Sequence, residues 1–410
     1  MRTGRTTRCC SAVALTLACS AAAGCATRAP TTTTRPFPLP SGHAAKPHEG
    51  SLPLFPLQLQ WTLALNTQLA AGVAPAFDGA RAFFSIEGDR IVAYDLARGE
   101  RLWIATTSTT LTPAASPDLL FVADRDHLVA LRIADGSPAW QRPFSEALAV
   151  PLVYDNGWLV AVTLQGDVLA MRAADGTLVW RQPIGSPAHA RPTLAADRVY
   201  VPTEDGRIVA LRVDAGATAW ERRVGGAASD ILAVGDRVYT GSKDNFFYCL
   251  RADDGEQDWQ WRTGGDVIGL PVVDERAVYF VSLDNVLWAL NRSNGNQRWK
   301  RTLPLRPTSG PLRAGHALLV SGFAAKLPAF KIEDGTPAGD VTLAGELAAP
   351  PHIVAVPNAL GSLVVVATRD IVKGVTVAAL TPSMEPPIGP VEVLPNPVTF
   401  GAPPKPPTTR

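Results

Sequence analysis

The fold of this chain is decided by a pattern whose clearest copy is Ala170-Met-Arg-Ala-Ala-Asp-Gly176-Thr-Leu-Val-Trp180. A small residue stands ten positions before a tryptophan, and a glycine stands six positions after the small residue. Six copies begin at Ala93, Ala130, Ala170, Ala210, Cys249 and Ala289. The tryptophans, spaced 37–42 residues apart, are Trp61, Trp103, Trp140, Trp180, Trp220, Trp259 and Trp299. That spacing is typical of propeller blades built from four strands.

A second, independent repeat supports the same architecture. Prolines that open short apolar stretches recur at Pro75, Pro113, Pro151, Pro192, Pro271, Pro311 and Pro351, and Ile231 fills the one missing position. Within one unit, residues 191–220 alternate between four apolar runs and Asp- or Gly-containing turns, and 208–213 show no helical periodicity. The sequence therefore predicts an all-β protein, an eight-bladed β-propeller of four-stranded antiparallel blades over residues 55–381.

The two ends of the repeat array complement each other. A seventh copy keeps Ala329 and Gly335 but has Gly339 where a tryptophan is expected, and residues 350–380 supply three strands of a last blade without a tryptophan. Trp61 stands ahead of the first blade. We therefore expect residues 55–65 to form the outer strand of the last blade, which closes the ring and removes its open sheet edges.

The N-terminal segment has the features of an export signal. Three arginines precede a short apolar stretch, and Ala22-Ala23-Gly24-Cys25 resembles a lipobox. This predicts a signal peptide over 1–24 and lipidation of Cys25; secretion with cleavage near Ala23 and a lipid at Cys19 are the alternatives. Residues 25–54 then form a Thr/Pro-rich tether, and residues 382–410 a Pro-rich disordered tail.

The tryptophan pattern resembles the tryptophan-docking signature of PQQ-type β-propellers. In that family the outer-strand tryptophans pack against the neighbouring blade, which implies a structural role for all seven. A lipobox, a tether and eight blades are similar to the accessory propeller lipoprotein of the outer-membrane β-barrel assembly machinery. The resemblance implies a monomeric, non-enzymatic scaffold that is lipid-anchored in the outer membrane, faces the periplasm and binds envelope proteins such as the β-barrel assembly subunit.

Charge patterning suggests where a partner would bind. The net charge is +1 and no basic stripe occurs, which argues against nucleic-acid binding. Acids recur between the second and third strands, on the ring face that also carries the links between blades. Basic residues that lead into these links form a candidate partner rim: Arg181, Arg222, Arg223, Arg262, Lys300 and Arg301. Ordinary turn chemistry and solvation are the alternative interpretation of the same charges.

Nothing in the sequence indicates catalysis, and we expect no cofactor and no metal. A PQQ pocket needs a vicinal disulfide, a tryptophan floor and calcium ligands, whereas the Cys9-Cys10 pair lies in the signal peptide. Trp288 is better interpreted as a core residue than as a cavity wall. The six histidines show no metal-ligand spacing, and Cys249 replaces a small buried alanine. The alternative function is a periplasmic ligand-binding or degenerate quinoprotein propeller that uses its central channel.

Overall fold

The computed structural model describes residues 54–355, 362–370 and 374–382. The proposed signal peptide, Cys25, the tether before Leu54 and residues 383–410 lie outside this part of the chain. The described residues form thirty-three strands in eight antiparallel sheets, one per blade. The prediction of an all-β, eight-bladed propeller is confirmed.

Strand β1 (Leu57–Ala64) precedes four regular blades, each built from consecutive strands numbered outward from the ring centre. Blade 1 contains β2 (Ala76–Phe77), β3 (Arg81–Ile86), β4 (Arg90–Asp95) and β5 (Glu100–Thr106). Blade 2 contains β6 (Ala114–Ala115), β7 (Leu119–Asp124), β8 (His127–Arg132) and β9 (Pro138–Pro143). Blade 3 contains β10 (Val153–Asp155), β11 (Trp158–Val162), β12 (Asp167–Arg172) and β13 (Leu178–Pro183). Blade 4 contains β14 (Thr193–Ala195), β15 (Arg198–Pro202), β16 (Arg207–Arg212) and β17 (Thr218–Arg223).

Three more regular blades follow in the same order. Blade 5 contains β18 (Ala228–Val234), β19 (Arg237–Ser242), β20 (Phe246–Arg251) and β21 (Gln257–Arg262). Blade 6 contains β22 (Val267–Val273), β23 (Ala277–Ser282), β24 (Val286–Asn291) and β25 (Gln297–Thr302). Blade 7 contains β26 (Leu312–Ala314), β27 (Ala317–Leu319), β28 (Lys326–Lys331) and β29 (Pro337–Thr342). The innermost strands of blades 5 and 6 are longer than the others, and Pro271 lies where the pairing register of β22 is broken, as expected for proline in a strand.

Blade 8 joins the two ends of the array. It contains β30 (Glu346–Leu347), β31 (His352–Ala355), β32 (Ser362–Asp370) and β33 (Gly374–Pro382), and β1 is its outer strand. The pairing of β1 with β33 runs from Leu57 opposite Pro382 to Ala64 opposite Thr376. The predicted closure of the ring by the N-terminal strand is therefore confirmed.

Because the strands of a blade alternate in direction, the ring has two distinct faces. The link face carries the links between blades, and the hairpin face carries the hairpins between the third and outer strands. On the link face, the turn between the second and third strands contacts the link that enters the same blade: the Glu204 amide donates to the Pro187 carbonyl. On the hairpin face, the hairpin between the third and outer strands contacts the turn after the innermost strand: the Val213 amide donates to the Asp197 carbonyl. Both terminal strand ends of blade 8, Leu57 and Pro382, lie at the hairpin face.

The hydrophobic core lies between blades. Each buried cluster combines two neighbouring sheets; one cluster, for example, joins Val160 of blade 3 with Val199 and Val209 of blade 4. The second strand of blade 3 is buried along its whole length, whereas the outer strand of the same blade buries only Trp180. Because the middle strands are covered on both sides, they consist almost entirely of apolar residues, which explains the low charged fraction of 18%.

Candidate functional site

The seven repeat tryptophans connect consecutive blades. Each lies on an outer strand, and its indole N–H donates to a backbone carbonyl of the next blade at 2.6–3.3 Å. The acceptors are Leu96, Ile133, Ala173, Val213, Ala252, Arg292 and Ile332 in chain order. The indoles are buried or half-buried between sheets. One indole therefore links two blades at every junction between regular blades and at the junction of blade 8 with blade 1.

The glycine of the repeat lies beneath the indole of the preceding blade. Gly216 has φ +70°, and a Cβ there would approach Trp180 to 2.6 Å. Gly255 has φ +73° and would approach Trp220 to 2.5 Å. The small residue of the repeat contacts the tryptophan of its own blade, whereas the glycine contacts that of the preceding blade. Ala210, for example, is the cross-strand partner of Trp220.

The junction of blades 7 and 8 uses a different contact. Gly339 occupies the tryptophan position on β29, opposite Ala329. The ring of Phe55, just before β1, lies against Gly339, so that a Cβ there would meet it at 2.9 Å. The aromatic ring therefore comes from blade 8 and the glycine from blade 7, the reverse of the other seven junctions.

Acids of the link face act within the fold. The Asp244 carboxylate accepts hydrogen bonds from the Gly225 amide at 2.9 Å and from the Tyr248 hydroxyl at 2.5 Å. Asp284 accepts from the Gly264 amide at 3.1 Å in the next blade. These carboxylates hold the incoming link against the blade, which is the turn chemistry considered as the alternative for these charges.

The candidate rim residues separate into two groups. Arg222 and Arg301, two positions after their tryptophans, point toward the next blade. Arg222 pairs with Glu256 at 3.5 Å, and Arg301 donates to the carbonyls of Asp334 and Gly335 at 2.6 and 2.8 Å. These two side chains reinforce the tryptophan contacts at their junctions and are not presented together on the link face.

The other four rim residues lie on the same set of outer strands, Arg181 and Lys300 one position after their tryptophans and Arg223 and Arg262 three positions after theirs. Arg181 makes a bidentate contact to Glu146 at 2.9 Å and also pairs with Asp167. Arg223 donates to the Asp205 carbonyl at 2.6 Å, but 65% of its side chain is exposed. Lys300 stacks over Trp288 with its ammonium 5.3 Å from the ring centroid, and Arg262 is exposed. All four side chains are exposed, and of these Arg223 and Arg262 are the last residues of their outer strands.

A polar group that no sequence pattern marked lies where blade 4 meets the innermost strand of blade 5. Asp230, on the innermost strand of blade 5, has its pKa raised by burial, and the charges of Arg191 and His189 oppose that shift. Burial also lowers the pKa of Arg191. His189 hydrogen-bonds Glu204 through Nδ1 at 2.8 Å. These residues belong to blade 4, the link that enters it and the innermost strand of blade 5, so the packing of two consecutive blades brings them together.

The hairpin face carries a cavity of about 710 Å³ at the inner ends of blades 5, 6 and 7. Its floor is aliphatic, formed by Leu232, Val234, Leu270 and Val272, and arginines stand around it. Leu270 is 48% exposed in this cavity. The candidate rim did not include any of these residues.

Three features of the described residues bear on the quinoprotein alternative. None of their His, Cys, Asp and Glu side chains form a group of three able to hold a metal ion. Trp288 is buried, and its indole N–H donates to the Ser282 hydroxyl at 2.9 Å. The buried Cys249 thiol is free, and burial raises its pKa to about 12, which makes it a poor nucleophile. None of the described segments is a helix that could cross a membrane.

Both the sequence and the fold are similar to those of known proteins. A family model described as outer membrane protein assembly factor BamB matches residues 58–150, 134–233 and 226–347. No curated protein matches the chain. The crystal structure of BamB from Moraxella catarrhalis is similar with a TM-score of 0.65 and 17% identity, over 80% of this chain and 100% of that one.

Two further structures share the architecture. The quinohemoprotein alcohol dehydrogenase from Comamonas testosteroni has a TM-score of 0.62 and 14% identity, over 81% of this chain and 77% of that one. The computationally designed Ika8 protein has a TM-score of 0.60 and 12% identity, over 77% of this chain and 98% of that one. At these identities, structural similarity establishes the fold and leaves the function to other observations.

Proposed function

Because this chain belongs to the family described as outer membrane protein assembly factor BamB, we propose that it is a non-enzymatic propeller scaffold that binds envelope proteins during outer-membrane β-barrel assembly. The family match across the seven regular blades carries the proposal. The quinoprotein alternative has less support, because the described residues lack the metal-holding group and the exposed tryptophan floor that its chemistry needs.

The proposed location is the periplasmic side of the outer membrane, with a lipid on Cys25. The tether would enter the propeller at Leu57, which lies on the hairpin face. A flexible segment of about 30 residues spans on the order of 30 Å, and its prolines extend it further. The link face, at the opposite end of the strands, would then be available to a protein partner.

We propose that the partner binds the link face around blades 4 and 5. Arg223 and Arg262 end their outer strands at this face and are exposed. Arg181, Arg222 and Arg301 contact carboxylates or carbonyls of the chain, and Arg223 also pairs with Asp205 at 3.9 Å but keeps 65% of its side chain exposed. Exposed cations beside acid-bearing turns give the mixed charge that orients protein partners.

The test is co-purification from detergent-solubilised outer membranes with the Arg223→Glu/Arg262→Glu double variant. We expect loss of the barrel-assembly subunit from the eluate at unchanged propeller stability. The matched control is Arg98→Glu, whose side chain is 74% exposed on the hairpin face. Equal recovery of the partner with the double variant and with wild type would contradict the proposed surface.

A further inference from the structure

The eight outer strands differ at the position that follows the tryptophan, or Gly339 in blade 7. Blade 1 carries an aliphatic residue there, Ile104. The other seven blades carry a polar residue, which is charged in four cases: Thr62, Gln141, Arg181, Glu221, Gln260, Lys300 and Asp340. Charged side chains at a sheet edge oppose pairing with another chain, and an exposed apolar edge favours it. The outer strand of blade 1 therefore lacks a protection that the other seven share.

The apolar side chains of this strand, β5, are open to solvent. Leu102 and Ile104, on either side of Trp103, are each 45% exposed. The indole of Trp103 is turned toward blade 2, where its N–H donates to the Ile133 carbonyl at 2.6 Å. From Leu102 to Thr106 the strand contains no proline and no charged residue, whereas β9 and β29 contain both. We call residues 102–106 the blade 1 edge.

The backbone of the blade 1 edge has hydrogen-bonding groups that no described strand uses. In the described part of the chain, β5 pairs only with β4. The Thr107 amide donates to the Asp89 carbonyl of the same blade at 2.9 Å. Residues of an antiparallel pair alternate between facing the partner strand and facing away from it, so the N–H and C=O groups of Ile104 and Thr106 point away from β4. The edge thus presents two donors and two acceptors to an incoming strand.

The charges at the two ends of the blade 1 edge differ. Arg101, just before it, is exposed and forms no ion pair with a described carboxylate, since the adjacent Glu100 lies 4.0 Å from Arg98 instead. The other end continues into residues 106–112, which carry no charge. Charge complementarity therefore favours an occupant with a carboxylate at one end only, beside Arg101.

We propose that the blade 1 edge binds an extended segment of another protein, which pairs with β5 as a fifth strand of the blade. The segment carries an apolar side chain opposite Ile104, polar side chains at the adjoining positions and a carboxylate that reaches Arg101. This site lies on the outer rim of blade 1, and the inference does not depend on the proposed partner of the link face.

The pattern required of the segment follows from strand geometry. Residues directly opposite each other in two paired strands have their side chains on the same face, so the apolar side chain packs on Ile104. Side chains one position apart point to opposite faces, so those next to the apolar residue lie on the other face of the sheet. Backbone hydrogen bonds supply the affinity of such added strands, and alternate side chains supply the selectivity.

The experiment measures, by fluorescence anisotropy, the binding of a labelled peptide of alternating valine and threonine that ends in aspartate to the full-length chain. We expect Ile104→Lys to bind it about tenfold more weakly than wild type, because an apolar contact is replaced by a solvated charge. Lys300 occupies the same position in blade 6, so lysine is compatible with a folded blade. The matched control, Gln141→Lys, makes the same change in blade 2 and should leave binding unchanged.

Amide hydrogen exchange identifies the contact as strand pairing. The amides of Ile104 and Thr106 should exchange fast in the free protein and at least about tenfold more slowly with the peptide bound. A peptide methylated on alternate backbone nitrogens lacks the donors for pairing and should bind about tenfold more weakly. Arg101→Glu should weaken binding of the peptide that ends in aspartate more than that of a peptide that ends in asparagine.

Three outcomes would overturn the proposal. Wild type does not bind the peptide, or binds it no more tightly than Ile104→Lys does. The methylated peptide binds as tightly as the unmodified one, which means that the contact is not strand pairing. Slow exchange at Ile104 and Thr106 without peptide, which increases with protein concentration together with a dimer in sedimentation, means that the edge pairs with a second copy of this chain.

Discussion

The glycine of each repeat meets two requirements at one residue. It closes the hairpin between the third and outer strands with φ near +70°, and it leaves room for an indole from the preceding blade. Alanine at this position would be strained in its backbone and would also collide with the tryptophan. Both the turn conformation and the space for the indole therefore favour glycine here. The glycine and the tryptophan that packs on it form one contact unit.

Trp220 offers the clearest test of that unit. Its buried indole packs on Gly255 and donates to the Ala252 carbonyl at 3.0 Å. We expect Trp220→Ala to lower the free energy of unfolding by about 3–5 kcal/mol, because a large buried ring is replaced by a cavity. Urea denaturation measures this, and partner binding at a permissive temperature should be retained.

The control for Trp220 is Trp220→Phe, which keeps a ring between the blades. The Ala252 carbonyl keeps a second donor, Arg198, so this variant should lose only about 1 kcal/mol for the missing hydrogen bond. Wild-type stability in Trp220→Ala would show that the indole does not hold the junction.

His352 makes stability depend on pH. It stacks on Phe77 with ring centroids 4.0 Å apart, and burial lowers its pKa to about 4. Between that value and the ordinary pKa of about 6.5, the unfolded chain binds the proton more readily than the folded one. This contribution to stability is therefore complete above pH 6.5 and lost as the pH falls toward 4, by up to about 3 kcal/mol.

The measurement is the urea midpoint of wild type and His352→Phe at pH 7 and pH 4.5. Phenylalanine keeps the stack on Phe77 but cannot bind a proton, so the variant should lose less stability than wild type on acidification. An identical drop in both proteins would assign the pH dependence to other groups.

At the scale of strands and blades, the junction of blades 7 and 8 has a reversed contact for a topological reason. Elsewhere the tryptophan packs on a hairpin glycine between the third and outer strands. In blade 8 these strands are β33 and β1, which are not consecutive in the chain, so no such hairpin exists. Phe55 precedes β1 and packs back onto Gly339 instead.

A double-mutant cycle tests this reversed contact. Phe55→Ala removes a half-buried ring and should lower stability by about 2 kcal/mol. Gly339→Ala places a methyl group against that ring and should lower stability by about 1–2 kcal/mol. In the double variant the methyl group has no ring to meet, so the combined loss should be smaller than the sum. Strict additivity in urea denaturation would show that the two residues do not interact.

The strands and their order could be predicted from the sequence because all parts of one repeat unit lie close together along the chain. The turn glycines, the apolar runs and the tryptophan lie within 30 residues of each other in every unit, as in residues 191–220. The direction of the rim side chains could not be predicted in the same way. Arg222 and Arg223 are neighbours in sequence, but strand alternation points the first at the next blade and leaves the second exposed.

At the scale of the whole molecule, the features that the sequence did not indicate are those that combine distant units. The Phe55 contact joins residues from the two ends of the array, and the floor of the hairpin-face cavity takes its side chains from blades 5 and 6. The polar group around Asp230 likewise needs neighbouring blades in place. Such sites depend on the packing of different blades, which a repeat pattern implies without specifying which side chains it brings together.

The pairing of Leu57 with Pro382 means that blade 8 can be completed only after the other blades have been synthesised. Strand β1 is among the first parts of the propeller to be synthesised, whereas its partner β33 follows more than three hundred residues later. Blades 1 to 7 contain only consecutive strands and can form as the chain emerges. Until β33 arrives, β1 has no partner strand, and the ring closes only when the last described residues are in place. Completion of the propeller therefore requires that every strand from β1 to β33 has been synthesised.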